Sequence, residues 1–144
     1  MERFQELENH LGKTFMDKIA NMLIMIKNAG VAGKTTVAIP HSAMKEAIAK
    51  CLVKGKFIAN VSKKTLEGAK AVLEIELLRD GKFPKITNVE RISKPSKRVY
   101  VKAKDIKPVR QGFGMMVVST PKGVMIADDA KKELVGGEAL FRIW

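Results

Sequence analysis

The sequence predicts an α+β fold, in which an N-terminal α/β unit packs on a C-terminal β-rich unit with one short helix. Three observations support this class. The 144-residue chain is 46% hydrophobic and 29% charged, which is typical of a globular protein with a buried core. In the first half, apolar residues recur with helical spacing in two stretches. Further along, they recur at every second residue, which is the period of antiparallel strands. The second half consists of short apolar runs separated by turn residues.

The first helix is predicted to begin after Asp17, because a carboxylate at that position accepts hydrogen bonds from the free amides of the first turn. Gly30 is predicted to end this helix. The apolar residues between them have the spacing i, i+3, i+4 and i+7, and they are Ile19, Met22, Leu23 and Ile26. The β-branched segment TTVAIP, residues 35–40, is predicted to form the next strand.

The second helix is predicted to lie between the capping residue Ser42 and Gly55. Its apolar face is formed by Met44, Ile48, Cys51 and Leu52. Cys51 is the only cysteine, so the chain has neither an internal disulfide nor a metal site with several cysteines. We interpret Cys51 as a small buried hydrophobic residue.

Three strands are predicted to complete the first half as an antiparallel meander. They are FIANVSKK (57–64), AVLEIELL (71–78) and KITNVERIS (85–93). The segment LEGA is predicted to turn between the first two, and Asp80 with Gly81 between the last two.

The second half is predicted to contain the strands RVYV, MMVVST, VMI and EALFRIW. Asp128 is predicted to cap a short helix, DAKKELV, which Gly136 and Gly137 end. Gly112 and Gly114 surround Phe113 before a strand rather than before a helix, so we interpret them as a bend and not as a dinucleotide-binding turn.

We expect three segments along the chain: an N-terminal extension (1–15), an α/β domain (16–85) and a β-rich domain (86–144). The extension has Phe4, Leu7 and Leu11 at helical spacing and is locally acidic. No apolar run reaches the length of about 18 to 20 residues that spans a bilayer, and the N-terminus lacks the order of a signal peptide. We therefore expect a soluble, cytoplasmic protein with no membrane partner.

Positive charge is concentrated in one part of the chain. The sequence has 27 Lys and Arg against 15 Asp and Glu, and residues 82–110 contain ten basic residues and only two acidic ones. A solvated loop face could account for this stretch, but an excess of this size favours a surface that follows phosphates, including Lys97, Arg98 and Lys102. Tyr100, the only tyrosine, could stack on a base or could belong to the core.

The sequence contains no recognisable catalytic arrangement. It has no Walker A loop, no H-E-x-x-H motif and no set of serine, histidine and acid at catalytic spacing. His10 and His41 have no neighbouring ligands at metal-binding spacing. We therefore predict that the protein is not an enzyme and has no cofactor, no metal and no small-molecule substrate.

Ser119 and Thr120 lie at the end of the MMVVST strand, next to the turn formed by Pro121, Lys122 and Gly123. Their hydroxyls could cap this turn. Alternatively, they could hydrogen-bond to the edge or the ribose of an unpaired base, which is the part of RNA that sequence-specific proteins read.

Three segments resemble the family of bacterial small-subunit ribosomal protein eight. GFGMMVVSTPKGVMIADDAKKELVGGEALFRIW is similar to the C-terminal domain of that family, DKIANMLIMIKNA to its first helix, and ISKPSKRVYVKAKDIKPV to the stretch between them. The resemblance covers about residues 16 to 144 in the same order.

The resemblance implies a structural protein of the small ribosomal subunit that binds the central domain of the ribosomal RNA early in assembly. It implies an N-terminal α/β domain, a β-rich C-terminal domain, and neighbours resembling ribosomal proteins two, five and seventeen. Some members repress their own operon through a similar messenger-RNA stem. By position, the implied RNA contacts are Ser119, Thr120, Pro121, Lys122, Gly123, Tyr100 and Glu138, together with Asp17, Lys18, Lys27 and Asn28 of the first helix.

The chain departs from the family pattern at several positions. Pro121 replaces the second serine of the hairpin loop, which removes one hydroxyl and one backbone donor. Ser96 replaces a glycine and Lys18 a proline. Residues 1–15 have no counterpart in the family.

Two alternatives differ in class from this interpretation. One is another basic RNA-binding accessory or RNA-modification factor, for which the sequence offers neither a cofactor loop nor a nucleophile with its base. The other is a membrane-surface protein, which the acidic residues 1–15 disfavour.

Overall fold

The computed structural model describes residues 17–65, 71–107 and 114–144. The described part of the first half contains two helices and three strands in the predicted order. They are α1 (Lys18–Val31), β1 (Thr36–Pro40), α2 (Ala43–Lys54), β2 (Ile58–Thr65) and β3 (Ala71–Leu77). The predicted LEGA turn and Gly112 lie outside the described residues.

Where the structure describes the second half, it contains short strands, a 3-10 helix at Ala103–Asp105 and one α-helix. The elements are β4 (Arg79–Asp80), β5 (Phe83–Pro84), β6 (Val89–Arg91), β7 (Tyr100–Val101), β8 (Met115–Thr120), β9 (Gly123–Ile126), α3 (Ala127–Lys132) and β10 (Gly137–Ile143). The predicted strand at 85–93 is shortened to Val89–Arg91 and pairs with β10 rather than with β3, so the predicted three-strand meander is wrong. The predicted strand RVYV is also shorter than expected.

The strands form two antiparallel sheets and one small hairpin. The N-terminal sheet has the order β1-β3-β2, and its helices cover one face. The C-terminal sheet has the order β6-β10-β8-β9, with β7 also paired to β10. The hairpin β4–β5 turns at Gly81, whose φ of 64° is readily adopted by glycine. The predicted α+β class is confirmed.

The predicted starts of α1 and α2 are confirmed. Asp17 accepts hydrogen bonds from the amides of Ile19 and Ala20, both at 3.1 Å, and Ser42 accepts one from the amide of Lys45 at 3.1 Å. The predicted face of α2 is buried except at Met44, which is exposed, and Gly55 ends this helix as expected.

The predicted end of α1 at Gly30 is wrong. The helix continues to Val31, and Gly30 is buried against the β4–β5 hairpin. A Cβ atom on Gly30 would lie 3.1 Å from Cβ of Pro84, so this glycine lies in a tightly packed contact with the hairpin. Gly33, with φ of 80°, adopts the left-handed conformation beyond the helix.

The predicted boundaries of α3 are also wrong. Asp128 lies inside the first turn and does not cap the helix, because the N-cap position is Ile126. The helix ends at Lys132, and Leu134 takes the left-handed conformation with φ of 59°. Gly136 and Gly137 therefore lie beyond the helix and do not end it.

The larger hydrophobic core crosses the predicted boundary at residue 85. Residues of α1, α2 and the N-terminal sheet pack in one cluster with Met115, Val117, Leu140, Phe141 and Ile143 of the C-terminal sheet. A smaller cluster covers the opposite face and includes Met116, Val118, Ala130 and Ala139. The two units thus share apolar surface, while the position of the boundary between domains stays a prediction.

Arg91 connects the two halves through hydrogen bonds. Its guanidinium contacts the carboxylate of Asp17, with Nε to Oδ2 at 2.9 Å, and also donates to the carbonyl oxygen of Leu140. Only 10% of the Arg91 side chain is exposed. The start of α1 is thereby held against β6 and β10.

We expect the substitution Arg91→Leu to lower the free energy of unfolding by about 2 to 3 kcal/mol, because it leaves a half-buried carboxylate without its cation. Chemical denaturation monitored by circular dichroism measures this loss. Arg142→Leu is the matched control, since Arg142 is 43% exposed and its pair with Glu90 should contribute about 1 kcal/mol or less. Equal losses for the two variants would contradict the role of Arg91.

Candidate nucleic-acid interface

Three of the predicted site residues lie in one row across the C-terminal sheet. Glu138 of β10 is paired with Tyr100 of β7 on one side and with Ser119 of β8 on the other. Side chains directly opposite one another in antiparallel strands lie on the same face. The fold therefore brings together residues that are 38 positions apart in the sequence.

Gly136 and Gly137 permit this row to form. A Cβ atom on Gly137 would lie 2.1 Å from the carbonyl oxygen of Ser119, and one on Gly136 would lie 2.5 Å from that of Val101. Both contacts are with backbone atoms, which cannot move away without breaking the pairing. The two glycines thus allow β10 to lie between β7 and β8.

The carboxylate of Glu138 is held by two donors. The hydroxyl of Ser93 donates to Oε2, and Nη1 of Arg98 donates to the same oxygen at 3.0 Å. Burial by itself would raise the pKa of Glu138, but the hydrogen bonds from Ser93 and Arg98 and the charges of Arg98 and Arg91 hold that pKa below its usual range. Glu138 is therefore an ionised acceptor at neutral pH.

Sequence reasoning missed Ser93, which has no exposed surface. Its hydroxyl accepts a hydrogen bond from the amide of Val99 at 3.2 Å, so its single proton is directed to Glu138. The available signal was a hydroxyl at the end of a strand, between Ile92 and the basic segment KPSKR. That pattern does not reveal burial.

The hairpin between β8 and β9 fixes the hydroxyl of Thr120. This hydroxyl donates to the carbonyl oxygen of Gly123 at 2.8 Å and accepts from the amide of Lys122 at 3.1 Å. Only 9% of Thr120 is exposed. The Thr120 hydroxyl thus stabilises the turn. Pro121 occupies a position of this turn where no backbone donor is needed. A contact between Thr120 and RNA stays a prediction.

Ser119 and Tyr100 present their polar groups differently. Among the described residues, none is hydrogen-bonded to the Ser119 hydroxyl. Tyr100 is 70% exposed, which excludes the alternative that it belongs to the core. Both side chains are available to a ligand on this face.

The basic stretch separates into two groups. Arg91 and Arg98 are paired with carboxylates of the same chain, Asp17 and Glu138, although Arg98 itself is exposed. Lys94 and Lys97 form a tight turn through reciprocal backbone hydrogen bonds of 2.9 and 3.0 Å, which projects both exposed side chains beside the row. Lys102 follows β7 and is also exposed, as is Lys122 at the hairpin tip.

The first helix places its candidate residues at two distances from the row. The pKa of Arg98 is raised mainly by its hydrogen bond to Glu138 and by the charge of Glu138, and the charge of Asp17 adds a small contribution, so Asp17 lies near Arg98. Lys18 is exposed beside it. Lys27, which donates to Asn88 at 3.0 Å, and the exposed Asn28 lie about 15 Å further along the helix axis. The fold does not bring these last two to the row.

This arrangement defines a class of protein. Lysines, a protruding tyrosine and fixed hydrogen-bonding groups share one face of a small α+β fold, which is typical of structural nucleic-acid-binding proteins. Among residues 17–65, 71–107 and 114–144, no group of three or more His, Cys, Asp or Glu could hold a metal ion. In the same part of the chain, no helix is sufficiently long and apolar to span a membrane.

The comparison with known proteins identifies the family. The model of the family "Ribosomal protein S8" matches residues 17–144. Small ribosomal subunit protein uS8 of Chloroflexus aurantiacus is 42% identical over 132 residues, which cover 89% of this chain and 97% of that protein. The protein of the same name from Persephonella marina is 42% identical over 134 residues, covering 89% and 98%. The chain belongs to the ribosomal protein S8 family, a structural and non-enzymatic ribosomal component. The resemblance found in the sequence is therefore confirmed.

We expect Thr120→Val to lower the free energy of unfolding by about 1 to 2 kcal/mol, because it removes two hydrogen bonds from the turn. Ser119→Ala should change it by no more than about 0.5 kcal/mol, since no hydrogen bond within the described residues is lost. Thermal and urea unfolding of the two variants measure the difference. A larger loss for Ser119→Ala would contradict this division between the two hydroxyls.

We expect Ser93→Ala to raise the pKa of Glu138 toward its ordinary value, because a donor to the charged form is lost while burial remains. A depressed carboxyl pKa stabilises the fold above the unfolded-state value, and this stabilisation disappears as the pH falls through the folded-state value. The variant should therefore lose stability at neutral pH and show a weaker dependence on pH in the acid range. Carbon-13 NMR titration of the Glu138 carboxyl, with Ser96→Ala as control, measures the shift.

Proposed function

We propose that this protein binds the central domain of small-subunit ribosomal RNA directly and supports assembly of that domain. The observation that carries the proposal is the row formed by Tyr100, Glu138 and Ser119, which has an exposed ring, an ionised acceptor and an available hydroxyl on one face. The protein acts as a structural component of the small ribosomal subunit in the cytoplasm.

The chemistry of the row suits an irregular stem with unpaired nucleotides. The major groove of an A-form duplex is too deep and narrow for side chains to read, whereas unpaired bases expose their edges and faces. The exposed ring of Tyr100 can stack on such a base, and Ser119 can donate to or accept from its edge or its ribose. A fully paired stem would offer these groups few partners.

The exposed lysines around the row supply affinity without sequence preference. Lys94, Lys97, Lys102 and Lys122 can neutralise phosphates and release counterions. Their flexible side chains position the RNA while the row reads it. Asp17, an anion already engaged with Arg91, contributes to this surface through the position of α1 rather than through attraction to RNA.

Two further features of the proposal rest on the family alone. One is that this chain represses its own operon by binding a similar stem in messenger RNA. The other is contact with neighbouring proteins that resemble ribosomal proteins two, five and seventeen. The alternative of an RNA-modification factor is set aside, because the family is non-enzymatic.

We expect wild-type protein to prefer an rRNA stem with unpaired bases over a fully paired control, as measured by filter binding. Tyr100→Ala should weaken binding to the first stem about tenfold, because a stacked base is lost, and should leave the salt dependence unchanged. Ser119→Ala should act in the same direction.

Lys102→Ala is the control for a phosphate contact. It should weaken binding to both RNAs and reduce the slope of log affinity against log salt by about 1. Equal affinity of the wild-type protein for the two RNAs would refute the proposed function. A changed salt slope in Tyr100→Ala, with discrimination intact, would refute the role of the tyrosine.

A further inference from the structure

We propose that Ser93 is a positioning residue of this interface, which together with Arg98 fixes the Glu138 carboxylate so that its second oxygen selects a hydrogen-bond donor on an unpaired nucleotide. This inference rests on the proposed function and adds to it the chemical class of the group that is read. The donor is a base amino or imino group or a ribose 2′-hydroxyl.

The geometry of Glu138 leaves one oxygen for a ligand. Both donors, Ser93 and Arg98, contact Oε2. Within the described residues, no donor reaches Oε1, and 18% of the side chain is exposed. A carboxylate can accept about four hydrogen bonds, so Oε1 retains capacity for a partner.

The position of Ser93 is itself fixed on both sides. Its amide donates to the carbonyl oxygen of Ala139 at 3.0 Å, and the amide of Ala139 donates to the carbonyl oxygen of Val99 at 2.9 Å. Its hydroxyl bridges Val99 and Glu138. Ala139 of β10 is thus held between Ser93 and Val99. Rotation of the Ser93 hydroxyl would break at least one of its two hydrogen bonds.

An acceptor fixed in this way discriminates between RNA groups. It attracts donors and disfavours carbonyl oxygens and phosphates, which are acceptors or anions. Glu138 lies between Tyr100, which can stack on a base face, and Ser119, which can contact a neighbouring edge. A nucleotide that is held by Tyr100 and Ser119 would therefore lie next to the Glu138 carboxylate.

The first experiment is a double-mutant cycle, with affinity for the unpaired rRNA stem as the readout. Ser93→Ala should weaken binding about tenfold with an unchanged salt slope, and Ser96→Ala, an exposed serine in the same loop, should have no effect. In the Glu138→Ala background, Ser93→Ala should cause no further loss, because it acts through Glu138. Losses that multiply would overturn the positioning role. Ser93→Cys, a near-isosteric variant with a weak donor, replaces Ser93→Ala if circular dichroism shows that the alanine variant is unfolded.

The second experiment tests the chemistry of the ligand. Each unpaired nucleotide of the stem is replaced in turn by its 2′-deoxy form or by a base analogue without its amino group. At one position, wild-type protein should lose about tenfold in affinity, and Glu138→Ala should show no loss from the same analogue. If no position behaves in this way, donor selection is refuted. If wild-type protein does not distinguish the unpaired from the paired stem, the proposed function itself fails.

Discussion

The close approach of β10 to β7 and β8 is the constraint on which the interface depends. It is possible because Gly136 and Gly137 carry no side chains where the backbones of Val101 and Ser119 pass within van der Waals distance. The register that results places Glu138 opposite both Tyr100 and Ser119. The alignment of these three candidate side chains in one row thus follows from backbone sterics.

A second constraint joins this row to the first half of the chain. Arg91 pairs with Asp17 at the start of α1 and donates to Leu140 of β10, while the larger core cluster continues from α1 into the C-terminal sheet. The hydrogen bonds from Ser93 and Arg98 help to keep Glu138 ionised, and so does the charge of Arg91. Apolar packing and ion pairing therefore both stabilise the contact between α1 and the C-terminal sheet. The basic stretch therefore contains two kinds of residue. Arg91 and Arg98 form ion pairs with Asp17 and Glu138, whereas Lys94, Lys97 and Lys102 are exposed to solvent.

Much of the fold could be predicted from local patterns. The caps Asp17 and Ser42 and the strand at 115–120 depend on nearby residues, so they were predicted correctly. Gly30, Gly136 and Gly137 were assigned to helix ends, the commonest local use of glycine. Their contacts are instead with residues far away in the chain, such as Pro84 and Ser119. Local reasoning fails at these positions because a glycine required for close packing resembles a glycine required for a turn.

The α+β class, the basic character and the family could all be inferred from the sequence. The motifs that resemble the family also predict Tyr100, Ser119 and Glu138 as RNA contacts. The exposure and the internal hydrogen bonds of the candidate residues follow from the tertiary structure. It shows that the Thr120 hydroxyl is engaged within its turn, that Tyr100 protrudes, and that the unnoticed Ser93 is buried beneath Glu138. The reason is physical: the donor and acceptor capacity of a side chain is known from its type, but the groups that occupy this capacity are brought to it by pairing between distant strands.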